Sequence, residues 1–166
     1  MDRKELIEHK RKQLYFKNLM NSMNAITIIE IYEIGDERDY YKNIISLYYE
    51  LWRQSNIEPY SKLTCTTDDN QFCKWIIDKA ELTSKKEYIF INGGYYEGYA
   101  KITISNLSEA VLQLLYHDLK LNDLHGSCKC GFGEGFCLID LVDKKVIDVA
   151  LVSDDEYNYQ LWQWYY

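Results

Sequence analysis

The side chains of this sequence that could perform chemistry concentrate in its last third. His125-Gly126-Ser127-Cys128-Lys129-Cys130, followed by Cys137, offers nitrogen and sulfur ligands of the kind tetrahedral zinc takes. The spacing argues against it. Cys-x-Cys is not the usual knuckle, no second Cys-x-x-Cys exists, and Cys137 alternates with Ile139 and Leu141 as a small core residue would. No metal or other cofactor is therefore expected. Gly131-Phe132-Gly133-Glu134-Gly135 leads into a strand, carries an acid and is followed by no Lys-Ser/Thr, so it reads as a turn and not a phosphate cradle. Cys128 or Cys130 could meet His117 or His125 as a nucleophile–base pair, but no signature links them. No catalytic residue is assigned, and an enzyme is not expected.

The carboxylates are more informative. Phe136–Val142 and Lys145–Ser153 read as the two strands of a hairpin. A three-residue loop Asp143-Lys144-Lys145 would set Leu141 opposite Ile147 and Ile139 opposite Val149. The same register sets Asp140 directly opposite Asp148 on the other face, with Asp154 and Glu156 following if the strand continues. Like charges face to face destabilise a sheet by about 0.2–1 kcal/mol. Three devices could relieve them: a neighbouring lysine or helix N-terminus, a basic partner, or a divalent cation held between the oxygens. The third makes a small metal-assisted hydrolase using Asp140 and Asp148 the enzyme alternative.

The elements that must position these groups follow from periodicity. Residues 2–21 form a polar helix with a thin apolar stripe, and Ala25 to Ile34 a β-branched strand apolar on both faces, expected in the sheet centre. Residues 37–54, 69–81 and 107–120 carry helical three-to-four spacing; residues 88–91 and 99–105 read as paired strands. The order predicts one α+β domain over residues 1–166, a mostly antiparallel sheet with helices packed on it. Asp36, Asp68 and the Asn106-x-x-Glu109 pair stand where helix N-caps belong, so those acids have structural work to do.

Net charge is −7 and unevenly spread: residues 1–17 hold six Lys/Arg and three acids, leaving 13 bases and 23 acids in the rest. The basic helix reads as a solvated face balancing the acidic body, and its narrow apolar stripe argues against a membrane. Such a body repels nucleic acid and attracts a basic protein. The segment 154–166 interleaves acids and rings, so Asp154, Asp155 and Glu156 would meet cations while Tyr157, Tyr159, Trp162 and Trp164 anchor the contact, helped by Asp140 and Asp148. Five cysteines, an odd number, and a charged amino-terminal stretch fit a reduced, cytoplasmic chain.

In size, charge and the Asp154–Tyr166 segment the chain resembles the immunity proteins of bacterial toxin–immunity systems. That resemblance implies an inhibitor that covers a basic toxin, such as a nuclease, by direct binding. A nucleic-acid-mimicking inhibitor is the close alternative.

Overall fold

The computed structural model describes residues 2–32, 58–64, 68–92, 98–116, 135–153 and 157–166, with residues 46, 48, 50 and 53 between them. The expected α+β single-sheet architecture is present. Among the described residues three helices, α1 (Arg3–Asn21), α2 (Asp69–Ala80) and α3 (Leu107–Tyr116), accompany seven strands: β1 (Ile26–Tyr32), β2 (Ser61–Thr64), β3 (Glu87–Asn92), β4 (Gly98–Ile104), β5 (Gly135–Asp140), β6 (Lys145–Ser153) and β7 (Tyr157–Tyr165). They form one antiparallel sheet in the order β1-β4-β3-β5-β6-β7-β2.

Local chemistry sets the helix starts. Asp2 and Glu5 form a reciprocal capping box: the Asp2 carboxylate accepts from the amides of Lys4 (2.7 Å) and Glu5 (2.8 Å), and Glu5 accepts from the Asp2 amide (2.7 Å). Asp68 accepts from Asn70 and Gln71 at the start of α2, and Asn106 accepts from the Glu109 amide at the start of α3, as the sequence predicts. Asp36 and the helix expected over 37–54 lie largely outside the described residues, although residues 46, 48 and 50 are helical.

The sheet is buried on both faces. Phe72, Ile76 and Ala80 of α2 and Ala110, Val111, Leu114 and Leu115 of α3 pack on Tyr88, Phe90, Ala100, Ile102, Phe136, Leu138, Ile147, Val149, Tyr159 and Leu161. On the other face Ile89, Ile91, Tyr99, Cys137, Ile139 and Val146 make a second cluster, with Tyr48 and Trp164 against it. Tyr32 stacks on Tyr99 there, centroids 5.1 Å apart.

Three strand expectations are corrected. Ala25 to Ile34 was expected in the centre, but β1 ends the sheet, and its pairing with β4 is broken by a bulge between Ile28 and Glu30. Thr27, Ile29 and Glu30 are exposed along it, consistent with an edge that twists away from further pairing. The short β2 was not expected. Nor was β7: the segment expected as a surface-binding tail enters the sheet between β6 and β2.

Gly135 opens β5 at φ +145°, and a Cβ built there would lie 1.8 Å from the Val149 carbonyl oxygen. Both the backbone angle and the close approach of β6 require glycine. Gly135→Ala should cost at least about 1–3 kcal/mol from backbone strain alone, read as a lower urea midpoint. An unchanged midpoint would contradict this geometry.

Candidate functional site

The hairpin that carries Asp140 and Asp148 adopts a different register from the expected one. β5 ends at Asp140, residues 141–144 make the turn, and Asp140 pairs with Lys145, Leu138 with Ile147 and Cys137 with Asp148. The cause is the Asp140 side chain itself. Its Oδ1 accepts from the amides of Val142 (2.9 Å) and Asp143 (3.0 Å), and Lys144 takes a left-handed φ of 51°, which together close a four-residue turn. Asp140 therefore faces the helices with Leu138, whereas Asp148 lies on the opposite face beside Cys137 and Trp162. The expected carboxylate pair does not form, and no single cation can sit between the two side chains.

Asp140, 1% exposed, is neutralised within the fold. Lys86 Nζ donates to its Oδ2 at 2.8 Å and also pairs with Asp143. This is the internal-lysine device, acting on Asp140 and Asp143. Beside it in register, Lys145, also 1% exposed, donates to the Ala80 carbonyl at 2.9 Å and pairs with Glu81 at 3.2 Å. The ammonium thus sits at the negative end of α2, where the last carbonyls need donors. Gln163 completes the cap by donating to the Lys79 carbonyl at 2.7 Å. Lys86, Lys145 and Glu81 escaped sequence reasoning because their partners lie on remote segments.

The expected aromatic anchors separate as well. Tyr159 is fully buried, its ring edge-on to Phe72 at 4.8 Å, and it belongs to the helix-side core. It cannot reach a partner, so that assignment is corrected. Trp162 is buried opposite Asp148, and Trp164 is partly buried in the second cluster. Tyr157 begins β7, paired with Ser153. Asp154, Asp155 and Glu156 lie outside the described residues, as do His117, His125, Cys128, Cys130 and the stretch 131–134. Cys137 is a buried free thiol in the second cluster, as its alternation predicts. Among the described residues no group of three or more His, Cys, Asp or Glu is placed to hold a metal. His9 is half-buried on α1 and bonded to Gln13 at 2.7 Å.

The antiparallel order reveals a feature that the linear sequence hides. Tyr32, Asn92, Gly98, Gly135, Ser153, Tyr157 and Thr64 all terminate at the same end of the sheet. The residues covalently adjoining those termini include Glu33, Glu97, Glu134, Asp154 and Glu156, next to five of the seven strands and with no base among them. At the other end the adjoining residues are Ala25, Tyr60, Lys86, Ser105, Leu141, Lys144 and Tyr166, which include two lysines and no acid. At about 4.8 Å between neighbouring strands, the acid-flanked termini of β1 to β7 extend over roughly 24 Å, the scale of one protein-recognition patch. Glu33, Glu97 and Glu134 were missed as members of this set because only the strand order brings them together.

Burial pushes the Cys137 thiol well above its ordinary 9.0, and Asp148 across the register adds to it. Burial also raises the Tyr88 phenol above 10.0, opposed by its bond to the Thr83 carbonyl and reinforced by Asp140. For Lys86, burial would lower the ordinary 10.5, but the hydrogen bonds it donates to Asp140 and Asp143, with their negative charge, outweigh it and raise the value. In each case the fold favours the protonated form. Its contribution is complete below the ordinary value and is lost as pH climbs past 9.0, 10.0 and 10.5 in turn.

No family model, curated protein or solved structure matches the chain. No described helix is long and apolar enough to cross a membrane.

Two stability measurements test this geometry. The urea midpoint should decline above about pH 9, and Cys137→Ala should delay the onset of that decline. Equal stability at about pH 8 and about pH 11 would overturn the assignment. Lys86→Met should cost about 1–3 kcal/mol near neutrality, because the buried Asp140 carboxylate loses its cation; no loss would show that solvent or Lys145 satisfies the carboxylate instead.

Proposed function

We propose that this chain is an acidic protein-binding inhibitor of the immunity-protein kind, which neutralises a basic toxin, such as a nuclease, by direct binding. The observation that carries the reading is the charge asymmetry between the two ends of the sheet: acids adjoin five strand termini at one end and none at the other. Carboxylates gathered at one end of a rigid sheet attract lysine and arginine side chains that a nuclease would otherwise turn toward phosphate. They also speed association.

The binding set is revised accordingly. Asp154, Asp155 and Glu156 remain its centre, joined by Glu33, Glu97 and Glu134. Asp140 leaves it because Lys86 and the turn amides account for its charge, and Tyr159 leaves it because it is core. Asp148, Trp162 and Trp164 leave the set because they lie within the sheet, Trp164 opposite Val146 near its other end. Tyr157, together with Tyr95 and Tyr96 in the segment that joins β3 to β4, is assigned the anchor role, rings being the side chains that dominate such interfaces. The metal-assisted alternative loses its support because its two carboxylates occupy opposite faces. The cytoplasm is the proposed compartment, where buried thiols such as Cys73 and Cys137 stay reduced.

Asp154→Lys combined with Asp155→Lys should abolish capture of the basic partner, tested first on the product of the adjacent reading frame. The loss should be greatest at low ionic strength, while Asp143→Lys at the opposite end should leave capture intact. Equal capture by all three proteins would remove the patch, and failure of the wild-type chain to retain any basic protein would remove the function.

A further inference from the structure

The basic amino-terminal helix has a face that the fold leaves uncovered. At about 100° per residue, Arg3, Lys4, Leu6, Ile7, Lys10, Arg11, Leu14, Lys17 and Asn18 fall within one arc of about 160° on α1. All nine are exposed, and Leu14 is 60% exposed. Every charge on this arc is positive. Asp2, Glu5 and Glu8 lie outside it, as does Met20, which is buried in the core and docks the end of the helix. Three aliphatic side chains among five cations suit an apolar and anionic counterpart.

We propose that this face of α1 docks on the acidic body of a second copy of the chain, reciprocally, to give a two-fold dimer. Charge complementarity selects the occupant. Beyond residue 17 the chain carries ten more acids than bases, so each copy offers the counter-charge that the other's helix lacks. Two α1 helices cannot serve one another, because heptad positions facing Ile7 and Leu14 would bring Arg3, Lys10 and Lys17 together in a like-charged seam. A nucleic acid or anionic membrane meets the same negative body and brings no cations to it, whereas a second copy brings its own basic α1. The apolar groups also interleave with the cations instead of forming the separate face that a bilayer helix needs. Reciprocal exchange satisfies both helices at once and closes the assembly.

The inference uses the chain's acidity, not the identity of any toxin, and its test needs none. Sedimentation velocity of the full chain at low ionic strength should show a dimer that grows with concentration and recedes with added salt. Lys10→Glu with Lys17→Glu should weaken self-association by at least about tenfold, and Leu14→Ser should weaken it independently. Far-ultraviolet circular dichroism should be unchanged, since these positions are exposed. Carbodiimide cross-linking of mixed light and heavy isotope-labelled protein should join Lys10 or Lys17 of one copy to carboxylates beyond residue 17 of another. A monomer at every concentration, association indifferent to the charge reversal, or cross-links confined to single chains would overturn the proposal. So would a chain that stays monomeric while α1 binds phosphatidylserine vesicles or a DNA duplex. Capture of a basic partner is a separate readout: the α1 variants should retain it, so failure of the dimer and failure of the inhibitor reading are distinguishable.

Discussion

Asp140 is the side chain on which the register of the sheet's centre depends. One oxygen holds the amides of Val142 and Asp143, and the other holds Lys86. That fixes a four-residue turn, and the turn fixes which residues of β5 meet β6. A turn one residue shorter would slip the register by one and turn every side chain of one strand to the other face. Burying a carboxylate is unfavourable unless its charge is compensated and its lone pairs are occupied. Here both conditions are met by groups that also do structural work: Lys86 enters β3, and the two amides belong to the turn. The electrostatic solution and the topological solution are the same set of bonds.

The same end of the sheet shows how the helical layer is tied down. α2 runs toward β3 and finishes at Ala80 with its carbonyls directed at Lys145 and Gln163. Lys145 is opposite Asp140 in register, so the buried cation that caps α2 and the buried anion that makes the turn are neighbours on one face. Opposite charges paired across strands are favourable where like charges are not. The cluster therefore balances itself, and its charges are committed to the fold.

What could be read from the sequence was whatever is decided locally. The capping residues Asp68 and Asn106, the spacing of Phe72, Ile76 and Ala80, and the strands around Ile89 and Ile102 depend on neighbours a few positions away, and they stand as expected. The register of β5 on β6 was not legible for a physical reason. Phe136, Leu138, Cys137 and Ile139 are all buried, so the alternation that normally identifies a core face carries no information there. β7 was hidden for a similar reason. Tyr and Trp suit both an interface and a core, and the acids preceding them biased the reading toward a surface. β1 failed in the other direction: its β-branched run resembles a central strand, and only the bulge and the exposed Ile29 reveal an edge.

The candidate site was half legible in the same sense. Net charge and the acid run at Asp154–Glu156 could be read directly; Glu33, Glu97 and Glu134 could not be joined to them until the strand order was known. Antiparallel pairing makes this gathering possible. With each strand reversing its neighbour, sequence segments more than a hundred residues apart leave from one end, and five of the seven termini there have an acid as the adjoining residue. Those acids adjoin a scaffold whose faces are occupied by hydrophobic cores and whose opposite end neutralises its own charges. Like charges face to face inside the sheet would be poorly screened, and the register avoids them by placing Asp140 and Asp148 on opposite faces. The fold thus commits Asp140 to Lys86 and the turn amides, while the strand order sets Glu33, Glu97, Glu134, Asp154 and Glu156 next in sequence to termini that share one end of the sheet.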